Sequence, residues 1–123
     1  MEKIQIFKRF VNPSHLNTYG TLHGGWLLQW TDEAAAITAA ELTGKTCVTR
    51  FISEVSFEST AESGDIVEIN VRLVKTGTTS LTFHCEALNF RTRKLMAVVE
   101  KMIFVSLDKQ GRPTPHGLSR EPA

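Results

Sequence analysis

Apolar and polar residues alternate with a period of two along most of this chain, and one long apolar segment does not alternate. Ile4 to Phe10 reads as a short strand. Asn12-Pro13-Ser14 ends it, because proline lacks an amide donor and restricts the residue before it. Gly25 to Thr43 predicts the only long helix. Leu27, Leu28, Ala34, Ala35, Ala36, Ala39, Ala40 and Leu42 are good helix formers, and Gly44 is a natural stop. At about 1.5 Å rise per residue it would run roughly 28 Å. It is apolar nearly all round, which predicts burial on most sides.

The remainder reads as strands. Cys47, Thr49, Phe51, Val55 and Phe57 share one alternating pattern, which ends before the turn Glu62-Ser63-Gly64-Asp65. Val67, Ile69, Val71 and Leu73 alternate with Glu68, Asn70 and Arg72. After Thr76-Gly77-Thr78-Thr79 the pattern resumes with Leu81, Phe83, Cys85 and Ala87. A basic turn, Arg91-Thr92-Arg93-Lys94, leads into Leu95 to Leu107, which is apolar on both faces, as a central strand would be. From Asp108 onward proline, glycine and charge predominate. Residues 1–108 are therefore expected to form one domain and 109–123 a mobile polar tail.

One strand, one long helix and four further strands describe an α+β domain. A sheet covers one side of a helix, so a helix this apolar predicts a second copy of the chain over its other side. The length of 123 residues suits one domain, and 14 basic against 13 acidic residues leave no broad field for nucleic acid or a membrane surface. Gln29, Asp32, Glu33 and Glu41 interrupt the stretch from Trp26 to Leu42, which excludes an ordinary membrane span. No apolar run follows a basic start, so no secretory signal is expected. Cys47 and Cys85, far apart and each among strand residues, read as free thiols in a reducing compartment, which points to the cytoplasm.

Chemistry-bearing residues crowd into NTYGTLHGGWLLQWTDEAA, as Asn17, His23, Gly24, Gly25 and Asp32. Two glycines entering a helix let a substrate approach the backbone, since no Cβ intervenes. The first amides of that helix lack internal partners and carry partial positive charge, so they could hold the oxygen of a polarised carbonyl. Asp32 lies two turns further in, with Leu28, Gln29, Ala35, Ala36 and Ala39 as helical neighbours. A carboxylate there is expected to be partly desolvated, which favours it as a base. Each residue alone has a plain structural reading too. Asp32 could complement the helix dipole, the glycines could serve a tight turn, His23 a helix start and Asn17 a turn.

Together, Asn17, His23-Gly24-Gly25 and Asp32 resemble the active-site signature of hotdog-fold acyl-CoA thioesterases, and the segment around them is most similar to the bacterial acyl-CoA hydrolase branch. The strand VTRFISEVSF, which ends at Phe57, the turn Ser63-Gly64-Asp65-Ile66-Val67 and the turn Thr76-Gly77-Thr78-Thr79-Ser80 extend the likeness from about Val11 to Asp108. The resemblance implies a hotdog fold, one long central helix wrapped by a five- to six-stranded antiparallel sheet. It also implies a homodimer paired edge to edge, or a tetramer or hexamer built from dimers, with acyl-CoA between subunits and no cofactor. By position, Asp32 would be base or nucleophile, and Asn17 of the facing subunit would position water or thioester. Gly24 or Gly25 would donate an amide to the carbonyl oxygen, with His23 assisting. Substrate contacts would fall at Phe57, Thr78, Thr79, Ser80 and Arg93. In two places the chain departs from that branch: His23 stands where an aromatic residue is common, and Thr78 where the turn often carries an arginine.

Other features carry less. Gly44-Lys45-Thr46 mimics the end of a phosphate-binding loop, but Ala39 stands where the earlier glycine is required. His15, His23, His84 and His116 lack metal-ligand spacing with one another or with the cysteines. His84 and Cys85 point to opposite faces of a strand, which argues against a thiol–imidazole pair. The basic turn at Arg91 to Lys94 could be a solvated hairpin tip or could meet CoA phosphates. Two rival functions share the likeness, a hydroxyacyl-thioester dehydratase and a non-catalytic acyl-CoA sensor. A dehydratase wants a histidine and a carboxylate placed together for proton abstraction. A carboxylate accompanied by an asparagine and an amide-rich helix start favours acyl transfer to water instead.

Overall fold

The structure, a computed structural model, describes residues 4–118. Strand β1 (Ile4–Phe10) and a single 3₁₀ turn (Pro13–His15) precede helix α1 (Gly24–Thr43). Five strands follow: β2 (Thr46–Ile52), β3 (Val55–Phe57), β4 (Ile66–Thr76), β5 (Ser80–Asn89) and β6 (Leu95–Leu107). They form one antiparallel sheet in the order β1-β4-β5-β6-β2, and β3 pairs with β6 beyond the end of β2. One helix against a six-stranded sheet is the architecture expected, with β6 central, as its two apolar faces require.

The helix starts at His23 as N-cap and stops at Gly44, whose φ of 68° is one a Cβ would resist. Its buried residues are Leu27, Trp30, Thr31, Ala34, Ala35, Thr38 and Ala39, one stripe at helical spacing. Thr31 and Thr38 return their hydroxyls to the carbonyls of Leu27 and Ala34, at 2.8 and 2.9 Å, so neither is orphaned in the core. The sheet covers that stripe alone. Ile37 and Leu42 are 42% and 38% exposed in the single chain, so burial nearly all round is not met by one copy.

Two further expectations change. The alternation from Cys47 to Phe57 is two strands, so five strands and not four follow the helix. The reason is local. The ladder with β6 slips between Thr49 and Phe51, and Ser53 then accepts the Lys101 amide on its own Oγ at 3.0 Å. The tail expected to be mobile from residue 109 instead folds back. Asp108 accepts the amides of Gln110 and Arg112, each at 2.9 Å, and Gly111 turns the chain at φ 81°. Pro113 then bridges Leu107, and His116 is buried at 4% exposure. Residues 119–123 of that expected tail lie outside the described residues. Cys47 and Cys85 are both free, and no helix among the described residues is long and apolar enough to cross a membrane.

Buried Asp65 joins two turns. It receives Arg91 Nε at 2.6 Å and Nη2 at 3.0 Å, the Glu62 amide at 2.8 Å and Asn89 Nδ2 at 3.1 Å. The Arg91 guanidinium, with those amides, holds the Asp65 carboxyl well below the usual carboxylate range, against the upward pull of burial. An unfolded chain lacks these partners. The stabilisation is therefore full above about pH 4 and is lost as pH falls toward the folded value. Thermal unfolding followed down to about pH 3 should show Tm falling in acid. Asp65→Asn should lower Tm at neutral pH and flatten that fall, and an unaltered acid slope would remove this assignment.

Candidate active site

The loop before α1 is built around Asn17. Its Oδ1 accepts the amides of Tyr19 and Thr21 at 2.9 and 3.2 Å, and its Nδ2 donates to Thr21 Oγ1 at 3.0 Å. An asparagine amide carries two hydrogens, so one is left without an acceptor among the described residues. The far end of the loop is pinned by Leu22 N–H to Ala61 C=O and by His23 N–H to His15 C=O, both at 2.9 Å. His15 in turn meets Trp26 and Trp30 edge-on, with ring centroids 4.8 Å apart in each case.

His23 caps the helix through its side chain: Nδ1 accepts the Gly25 amide at 2.9 Å. Of the two glycine amides offered as donors, Gly25 is thus committed, while Gly24 has no acceptor among the described residues. Asn17 and Gly24 line one cavity of about 240 Å³, with Leu27, Phe57, Ser59 and Met96 among its walls. A Cβ at position 24 would touch the Phe57 ring at 3.5 Å, so glycine keeps the gap between ring and helix open.

Asp32 lies eight residues beyond Gly24, roughly 12 Å along the axis. It is half-buried on the flank of α1 that faces β2, and Thr49 Oγ1 donates to its Oδ1 at 2.6 Å. Burial, and then the negative charge of Asp32, push the Cys85 thiol up to about 12. Among the described residues no hydrogen bond links Asp32 to Asn17, His23 or Gly24. One chain therefore holds two separate groups, paired donors at the helix start and a carboxylate with its hydroxyl against the sheet.

Thr49 was not expected at the site; in the sequence it is one member of the alternating pattern from Cys47 to Phe57. The one signal for it was a hydroxyl among the apolar side chains that share its alternation. Of the other expected contacts, Thr79 and Ser80 line a second cavity, of about 420 Å³, with Arg50, Phe51, Ile103 and Val105. Thr78 precedes them on the exposed turn. Arg93 lines neither cavity. It sits at the tip of the β5–β6 hairpin at φ 63°, its guanidinium 5.2 Å over the Phe90 ring. A third cavity, of about 370 Å³ between Lys45, Thr46 and Lys109, contains none of these residues.

Comparison with known proteins bears on this arrangement. The thioesterase superfamily pattern matches residues 19–96. An acyl-CoA thioester hydrolase of Salmonella typhimurium is 28% identical over 116 residues, covering 89% of this chain and 87% of that protein. An acetyl-coenzyme A thioesterase of Rattus norvegicus is also 28% identical, but this chain spans only 18% of its length. Among solved structures, an acyl-CoA hydrolase from Staphylococcus aureus in complex with butyryl coenzyme A and coenzyme A has a TM-score of 0.80 at 30% identity. The match covers 91% of this chain and 68% of that one. A hexameric thioesterase from Yersinia pestis has a TM-score of 0.84 at 27% identity, over 89% of this chain and 91% of that one. The Staphylococcus aureus structures include alanine variants of an asparagine, an aspartate and a threonine. These are spaced by 15 and then 17 residues, as Asn17, Asp32 and Thr49 are here.

The environment of Asp32 predicts unequal thiols. Cys85 is fully buried and held protonated, whereas Cys47 is half-buried. In the native protein at about pH 8 a maleimide should modify Cys47 alone, and unfolding should release the second thiol. Rapid native modification of Cys85 would show that the sheet facing Asp32 is open to solvent.

Proposed function

We propose that this chain, which belongs to the thioesterase superfamily, hydrolyses acyl-CoA to a free carboxylic acid and CoA at sites completed by a second copy of itself. The observation that carries the reading is the division of groups within one chain. Two uncommitted donors, Gly24 N–H and the second hydrogen of Asn17 Nδ2, surround one cavity, while Asp32 and Thr49 pair elsewhere. Thioester hydrolysis needs both groups at one carbonyl. The donors polarise it and hold the oxyanion, and the carboxylate supplies the attack.

Docking through the β2 edge brings the two groups together. That edge is unpaired, with Val48, Phe51 and Ile52 exposed on it, a surface that invites strand pairing. Hexameric assembly among the similar structures supports self-association here. Asp32 then takes a proton from water as the hydroxide attacks the carbonyl carbon. Collapse of the tetrahedral oxyanion breaks the C–S bond, and the departing CoA sulfur recovers the proton. In the alternative, Asp32 itself attacks, the thiolate leaves, and water opens the mixed anhydride. His23 serves in both as the cap of the helix start. Its Nδ1 is committed to Gly25 and is not joined to Asp32, which favours hydrolysis over a dehydratase that would need imidazole and carboxylate together. Phe57 and the Thr78–Ser80 turn are the CoA contacts we assign, with Arg93 a peripheral one. The two free thiols favour a reducing compartment, hence the cytoplasm.

Release of CoA thiol from a panel of acyl-CoAs tests the activity directly. Asp32→Asn should lower kcat by about 10²-fold with little change in KM. Thr49→Val, which frees the carboxylate, should lower it about 10-fold. Mixing inactive Asn17→Ala and Asp32→Ala chains should restore activity as subunits exchange, since mixed dimers contain one intact site. Full activity in the Asp32→Asn protein would refute the assignment of the centre. No recovery after verified exchange would refute its division between subunits.

A further inference from the structure

The segment after β6 ends on the turn between β4 and β5. The carbonyls of Thr78, Thr79 and Ser80 are all engaged. Thr78 C=O accepts the His116 amide at 3.1 Å, and Thr79 C=O accepts the Ser106 amide at 2.9 Å. Ser80 C=O accepts the Gly77 amide at 2.9 Å and lies 3.0 Å from His116 Nε2. A carbonyl can only accept, so Nε2 carries the hydrogen, and Nδ1 is left to accept the Leu118 amide at 3.0 Å. Thr114 N–H, bonded to Ser106 C=O at 2.9 Å, holds the segment to β6 just before His116. With the carbonyls engaged behind, the hydroxyls of Thr78, Thr79 and Ser80 have no protein partner among the described residues. Two of these three residues line the 420 Å³ cavity with Arg50.

We infer that His116 is a positioning residue for CoA: it clasps the Thr78–Ser80 turn from behind and so presents the turn's three hydroxyls to the nucleotide end of the substrate. The inference rests on the reading of that turn as a CoA contact. A side chain acting this way changes binding and leaves chemistry alone, because Asp32, Thr49, Asn17 and Gly24 are untouched. On the turn the imidazole acts through one hydrogen, which an amide can replace: a glutamine nitrogen reaches about as far as Nε2.

The test uses the full chain, with CoA binding by titration calorimetry and steady-state hydrolysis of acyl-CoA. His116→Ala should raise KM and the Kd for CoA about 10-fold with kcat nearly unchanged. His116→Gln should recover most of the loss. Hydrogen exchange of the peptide across the turn should quicken in His116→Ala and not in His116→Gln. Unchanged exchange in His116→Ala, or a loss confined to kcat, overturns the clasp. Ser80→Ala and Thr79→Val separate this from failure of the underlying reading. If the turn loosens in His116→Ala yet neither those variants nor His116→Ala alters KM, the turn does not hold CoA, and the positioning role falls with it.

Discussion

Helix α1 carries apolar side chains over more of its circumference than one sheet can cover, and much else follows from where the cover falls. Alanines at 34, 35 and 39 let the backbone lie close to the sheet, and the stripe from Leu27 to Ala39 fixes which side does so. That choice sets Asp32 on the flank toward β2, within reach of Thr49, and leaves Ile37 on open ground. Rotating the helix by one position would move the carboxylate away from Thr49, so the packing of the core and the placing of Asp32 are one constraint.

The donors at the other end depend on local chemistry. Asn17 spends its carbonyl oxygen and one hydrogen on its own loop, and His23 spends its ring nitrogen on Gly25. What is left over among the described residues is one hydrogen on each of two groups, both held in place by the loop and the helix start. Dipoles fixed in advance need no reorganisation as charge develops, which is where such sites gain most of their effect. A histidine in an active-site motif is readily read as an acid or base. Here its contribution is to remove one donor from contention.

What was legible in the sequence follows the range of the interactions concerned. The bounds of β1, the end of the helix at Gly44 and the turns at Gly64 and Gly77 rest on neighbours in the chain, and they were readable. Asn17, Gly24 and Asp32 stand out in the sequence because three unusual residues fall close together along the chain, although one copy of the fold holds Asp32 apart from the other two. The break at Ser53 was not, since it depends on a side chain taking over a ladder bond from Lys101, 48 residues away. Thr49 gained its meaning only when the fold set it against Asp32. The segment beyond Asp108 read as loose because proline and glycine punctuate it. Those residues in fact build the turn that returns the chain to β6, and the carbonyl that holds His116 lies 36 residues upstream.

Cys85 has a bearing on how such a protein withstands oxidants. Thiol–disulfide exchange proceeds through the thiolate, and a group pushed up to about 12 is almost wholly protonated at neutral pH. With its thiolate suppressed first by burial and then by the charge on Asp32, Cys85 is poorly able to form mixed disulfides with small thiols in solution. The carboxylate on the helix thus adds to what burial already does, and the sulfur beneath it stays out of thiol exchange.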